Sequence, residues 1–271
     1  MKSRVLVAVV GIPALLLVLL VLPQVVTAIL IAAVSVIAVY ELMHNTGLAD
    51  QLYLMIAAAI MAIAVSFWSY GGCPWPAAIV GMILFWIALA AILIASHGEI
   101  PFSQLSIAAF SGIIVPLLLS SVTRILMLSS GRYLVLLPLV ICFSADSGAY
   151  FVGVAFGKHK MAPILSPKKS WEGAAGGVLS AVVLTVVYAM ILDMAFGMTV
   201  RYAAAVVYGL LGSVVSILGD LLFSAIKRQT GIKDYSHILP GHGGMLDRFD
   251  SMTLVAPLTE ALLLTIPMIV M

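Results

Sequence analysis

The residues best equipped for chemistry lie between positions 224 and 250. This run holds Lys227, Arg228, Lys233, Asp234, Asp247, Arg248 and Asp250, with His237 and His242 among them, in a chain that is 63% hydrophobic and only 9% charged. Cations and main-chain N–H groups take phosphate oxygens, and hard carboxylate oxygens take magnesium, so this mixture suits a polyphosphate with its metal. Gly241, Gly243 and Gly244 add backbone freedom that lets a ligand approach the main chain. A solvated loop with topogenic charge would account for the lysines. It would not account for carboxylates recurring at helical spacing where apolar runs begin and end, and ionisable residues at membrane depth mark function.

Three further sets extend this region. Asp220, Ser224, Lys227 and Arg228 are spaced i, i+4, i+7, i+8 and share a helix face leading into the loop. Residues 157–173 form a second polar cluster, with Lys158, Lys160, Lys168 and Lys169 for positive charge and Pro163 and Pro167 for stiffness. Ser166 opens its Ser-Pro-Lys-Lys stretch. Ser170, followed by Trp171, Glu172 and Gly173, suits the start of a helix, whose N-terminus favours an anion. Asp146 lies within an apolar run, where an ionised carboxylate is costly unless it is paired or holds a cation.

The elements that must position these residues are membrane helices. Mean hydropathy is +1.23, and apolar runs of about 20 residues recur from end to end. The expected fold is an all-α polytopic integral membrane protein with about nine spans, at 5–22, 25–42, 52–70, 77–96, 104–128, 133–156, 174–196, 202–226 and 249 onward. The basic start followed by an apolar run resembles a secretory signal, but lacks a clear small-residue cleavage site and reads as a retained first helix. Three regions follow: N-terminal helices over 1–100, a middle helix over 101–130, and a catalytic transmembrane region over 131–271 with two polar loops. Ser106, Ser111, Gly112, Ser120 and Ser121 on the middle helix permit close packing, and a homodimer is expected there. Arg124 on the same helix snorkels to the interface in a structural role. Glu41, His44, Asn45 and Asp50 read as interface residues of a loop.

Composition also excludes classes. Two cysteines, Cys73 and Cys142, in or beside apolar runs imply no disulfide framework. A net charge of +2 gives no reason to invoke nucleic acid. With nine spans, both polar loops fall on the side of Lys2 and Arg4, whereas Arg132 and Arg201 fall opposite. The positive-inside rule makes the first side cytoplasmic, where a water-soluble nucleotide is available.

The run from Ser224 resembles the signature of the phosphatidate cytidylyltransferases (CDP-diacylglycerol synthases). The matching positions are Ser224, Lys227, Arg228, Lys233, Asp234, Pro240, His242, Gly243, Gly244, Asp247, Arg248 and Asp250, without departure. Asp-Ser-Gly-Ala-Tyr from Asp146 and Ser-Pro-Lys-Lys-Ser-Trp-Glu-Gly from Ser166 also resemble the family. The resemblance implies that CTP and phosphatidate, the lipid arriving from the bilayer, give CDP-diacylglycerol and pyrophosphate at a bacterial inner membrane. Catalysis would then be positioning plus electrostatics. Asp220, Asp247, Lys168, Lys227 and Arg228 would act in the reaction. Ser166, Lys168, Lys169, Ser224, Lys227, Arg228, Lys233, Asp234, His242, Gly243, Gly244 and Arg248 would bind the substrates. Asp220 and Asp247, with Asp146 and Asp250, would hold magnesium, with a second, monovalent cation left open. Two alternatives stand beside this reading. One is a transporter using Asp146 and Asp220 as ion sites, against which the polar residues crowd one side. The other is an enzyme joining alcohols to CDP-lipid, whose carboxylate spacing is different.

Overall fold

The computed structural model describes residues 2–238, 241 and 243–270. His242 and Pro240 lie outside the described residues. The apolar runs are helical, since in lipid a backbone polar group needs an internal partner. In order, the elements are α1 (Lys2–Leu20), α2 (Gln24–Tyr40), α3 (Leu52–Gly71), α4 (Trp75–Ala95), α5 (Phe102–Ala109), α6 (Val115–Leu119), α7 (Ser121–Leu126), α8 (Gly131–Leu134), α9 (Leu137–Phe156), β1 (Lys160–Ala162), β2 (Ser166–Ser170), α10 (Trp171–Phe196), α11 (Tyr202–Gln229) and α12 (Leu246–Thr265). π-helical turns extend α2 over Glu41–Asn45 and join α5 to α6 over Phe110–Ile114.

Among the described residues seven helical stretches are long and apolar enough to cross a membrane: Gln24–Asn45, Leu52–Gly71, Trp75–Ala95, Phe102–Leu126, Gly131–Phe156, Trp171–Phe196 and Tyr202–Gln229. The chain is therefore a polytopic helical membrane protein. The expected first and ninth spans are also helices. The first is α1, and the ninth is α12, which carries Asp247, Arg248, Asp250 and Glu260.

The chain divides into two compact units, Met1–Leu128 with Gln229–Arg248, and Ser129–Arg228 with Phe249–Met271. In the first unit, α2 with its π turn and the α5–α7 run are the interior, with 56% and 61% of their apolar windows buried, against 17% for α4. The outer face of α4 leaves Trp75, Leu84 and Ile94 exposed, as suits a helix against lipid. Pro116 has no N–H to give and crowds the carbonyl one turn back, and the chain before it winds as a π turn. There Gly112 lies against α3: a Cβ on it would sit 3.0 Å from the Ala58 backbone. Arg124, partly exposed in the last turn of α7, donates to Ser69 Oγ at 2.9 Å and Ser121 Oγ at 2.7 Å.

The second unit is packed by small residues. A Cβ on Gly148 of α9 would stand 2.4 Å from Ser180 Cβ, and one on Gly176 of α10 the same distance from Val152. On α11, Gly209 faces the Val182 backbone and Gly219 faces the Asp250 carbonyl, at 2.6 and 2.8 Å from such an atom. Close backbone approach supplies the packing that helices in lipid cannot get from the hydrophobic effect. It also sets Asp220, next to Gly219, near the start of α12.

The polar stretch after α9 is not an irregular loop. β1 and β2 pair antiparallel, Lys160 opposite Ser170 and Ala162 opposite Ser166, with an irregularity between. Ser170 ends the hairpin and starts α10 as anticipated, its hydroxyl accepting from Gly173 N–H at 3.1 Å.

Candidate active site

In the second unit the hairpin is fastened to α11 by side chains expected to do chemistry. Lys169 Nζ is 2.5 Å from Asp220 Oδ2. The other Asp220 oxygen accepts from Ser224 Oγ, one turn on, at 3.1 Å. Arg228, two turns beyond Asp220, donates from Nε to the Leu165 carbonyl between the strands at 3.3 Å. The α11 face expected from the spacing thus meets the hairpin at two places, Asp220 with Lys169 and Arg228 with Leu165. Lys227 is buried, while Arg228 is exposed. Lys168 and Lys169 alternate on β2, so Lys168 is exposed and Lys169 half-buried. Ser166 is half-buried on the same strand.

Asp250 on α12 is within electrostatic reach of Asp220, Lys227 and Asp146. Asp146 itself is exposed on α9. This donor set suits magnesium in kind, being hard carboxylate oxygens from three helices. Among the described residues no group of three or more His, Cys, Asp or Glu is already drawn together around a metal position. At Asp220 a cation is in place all the same, the Lys169 ammonium.

In the first unit, the described residues between 229 and 248 are held by carboxylates bound to main chain. Asp247 is buried, and its Oδ2 accepts from Tyr235 N–H at 2.8 Å and from Gly244 N–H at 2.9 Å. Glu41, at the start of the π turn after α2, is fully buried. It accepts from Ser236 Oγ at 2.5 Å and from the Met245 and Leu246 N–H groups at 2.8 Å each. Asn45, one turn on, donates to the Tyr235 carbonyl at 2.8 Å. Gly243 has φ +86°, a conformation that favours glycine, and a Cβ there would lie 2.9 Å from Asp247 Oδ2. Gly243 and Gly244 thus lie closely against protein carboxylates. Lys233, Asp234 and Arg248 are exposed around this frame.

A family model described as the cytidylyltransferase family matches residues 2–266. The chain belongs to that family. Among curated proteins it is similar to the phosphatidate cytidylyltransferase of Haemophilus influenzae, with 42% identity over 127 residues, 47% of this chain and 44% of that one. It is similar to the Bacillus subtilis protein of the same name, with 45% identity over 124 residues, 46% of this chain and 45% of that one. For the Mycobacterium tuberculosis protein of that name the figures are 39% over 150 residues, 55% of this chain and 44% of that one. The chain spans about half the length of the curated relatives it matches.

Two features escaped the sequence reading. Glu41, expected as an interface residue of a loop, is instead buried at the end of an apolar run, where a carboxylate is as costly as at Asp146. Glu172, in the first turn of α10, accepts from Lys158 and His159 N–H groups at 3.2 Å and meets His159 Nδ1 at 2.5 Å. It ties off the exit from α9. Here the signal was an acid in a helix first turn, where the macrodipole favours one.

Proposed function

We propose that the protein transfers the cytidylyl group of CTP to phosphatidate, releasing pyrophosphate and leaving CDP-diacylglycerol in the bilayer. A lipid phosphate oxygen attacks the α-phosphorus of CTP. The new P–O bond forms as the α–β anhydride bond breaks, and pyrophosphate leaves with the electron pair. The lipid phosphate is already ionised near neutral pH, so the main obstacle is the approach of one anion to another. The supporting observation is the Lys169–Asp220 pair, which brings a phosphate-binding type of side chain on β2 and a metal-binding type on α11 together.

In this reading Lys168, Lys169, Lys227 and Arg228 hold phosphate oxygens and lower the repulsion between the reactants. Ser166 and Ser224 donate hydrogen bonds at the edges, and Lys233, Asp234 and Arg248 serve the nucleotide from the 229–248 segment. His242 belongs with them on the sequence pattern. Asp220, Asp250 and Asp146 would hold magnesium, which when bound neutralises triphosphate charge. Asp247 keeps a metal role on the same pattern, beside its observed work as an acceptor of main-chain N–H groups. The polar loops face the cytoplasm, because the basic residues collect with them.

Pyrophosphate release by the purified protein in detergent, with CTP, phosphatidate and magnesium, tests the reading. Release should need all three, and cytidine should appear in the lipid fraction. Release without phosphatidate, or none at all, overturns it.

A further inference from the structure

We propose that Glu41 is a positioning residue of this reaction, holding residues 229–248 and the first turn of α12 in the shape from which Asp247 and Arg248 work. The inference rests on the proposed function for its kinetic consequences, but not for the hold itself.

The hold is specific. Glu41 is fully buried, and its two oxygens take three donors: Ser236 Oγ, Met245 N–H and Leu246 N–H. A carboxylate offers about four lone-pair sites on its two oxygens, and this set occupies three of them. Two of the donors are main-chain groups at the start of α12, the end of a helix that attracts negative charge. A protein carboxylate therefore already takes the place that a phosphate would take there. Asp247, the residue after Leu246, has its direction set by where that turn begins.

Gly244 is fitted to this arrangement. A Cβ at that position would lie 2.5 Å from Glu41 Oε1 and 2.9 Å from Ser236 N, closer than such atoms approach. The glycine leaves room for the carboxylate. Asn45 adds a second grip on the same segment. It binds the Tyr235 carbonyl, and the Tyr235 N–H binds Asp247. The π turn Glu41–Asn45 thus grasps the segment at Tyr235 and Ser236 and again at Met245 and Leu246, residues about 200 positions away in sequence.

The test uses the full-length protein in detergent with phospholipid. Glu41→Gln removes the charge and replaces one acceptor oxygen with a donor, which opposes the N–H groups it should receive. Gly244→Ala keeps the charge and crowds the carboxylate. The readouts are kcat, the KM for CTP, tryptic cleavage after Lys233 without substrate, and the thermal midpoint. Glu41→Gln should lower kcat by about tenfold or more, with KM for CTP changed by less than about threefold. It should also speed cleavage after Lys233 about fivefold at an unchanged folded fraction, since a loosened segment opens more often. Gly244→Ala should move both readouts the same way. Wild-type kcat and cleavage in Glu41→Gln would overturn the proposal, as would a kcat loss matched by loss of folded protein. If the wild-type chain does not join CTP to phosphatidate, the proposed function fails, while the cleavage rate still decides whether Glu41 holds the segment.

Discussion

The two polar regions handle their charges in opposite ways. Where the hairpin meets α11, charges face each other: Lys169 pairs with Asp220 and Arg228 reaches a carbonyl. In the 229–248 segment, carboxylates face main chain: Glu41 and Asp247 between them accept four backbone N–H groups and a hydroxyl. The magnitudes separate the two. A partly solvated ion pair is worth about 0.2–1 kcal/mol, so ligand phosphates and a metal can replace it cheaply. A hydrogen bond to a charged group is worth about 1.5–3 kcal/mol, and a buried carboxylate has several to lose. The first region can therefore rearrange around a substrate. The second is a frame whose shape is set before any substrate arrives.

The sharpest way to break this comparison is to remove a charge from each region. Asp220→Asn leaves Lys169 without its anion and takes away a carboxylate proposed to hold the metal. We expect kcat to fall by about a hundredfold or more, with thermal midpoint and elution unchanged, because only a weak pair is lost. Activity within a fewfold of wild type would show that the pair merely ties the hairpin down. Asp247 behaves differently under the same change. Asp247→Asn keeps an oxygen that can accept from the Tyr235 and Gly244 N–H groups, so the segment should resist protease as before, while activity drops about tenfold or more if the charge is used. Asp247→Ala removes the acceptor as well and should lose both. Equal protease sensitivity in the two variants would erase the distinction between frame and exchangeable pair.

What could be read in advance follows the same division. Apolar runs declare their own length, so a span expected at 52–70 appears as Leu52–Gly71. The α11 face was legible because helical spacing is local, and Ser224 does reach Asp220. Residue type announced the lysines and aspartates of both regions. The partner of each was not announced. Nothing near Glu41 says that its donors lie in the run after α11, since a buried hydrogen bond between distant segments leaves no periodic trace. The hairpin was hidden for a related reason. Lys, Pro and Ser are poor strand formers, and the pairing of β1 with β2 comes from the ends being drawn together by α9 and α10. Gly243 and Gly244 were visible as glycines, but a sequence cannot show whether the space they leave belongs to a ligand or to a carboxylate.

A weaker perturbation tests whether the hairpin depends on its helix more than on its charges. Ser170 joins the two, as last residue of β2 and as cap of α10, with its hydroxyl accepting from Gly173 N–H. The surroundings are tight. A Cβ on Gly157 or Gly173 would come within 2.7 or 3.0 Å of that hydroxyl, so the oxygen is enclosed by the α9 exit and the first turn of α10. Ser170→Ala removes the acceptor without adding bulk and should cost about 1 kcal/mol of local stability, the usual price of a lost cap. It leaves Lys169 and Asp220 in place, so the ion pair persists and kcat should fall no more than about threefold. Hydrogen exchange at Gly173 and over β2 would report the loosening directly, rising several-fold while exchange in the middle of α10 stays constant. A loss of activity as large as that of Asp220→Asn would mean that strand placement matters more than the pair it carries, and that the hairpin, like the 229–248 segment, belongs to the fixed frame.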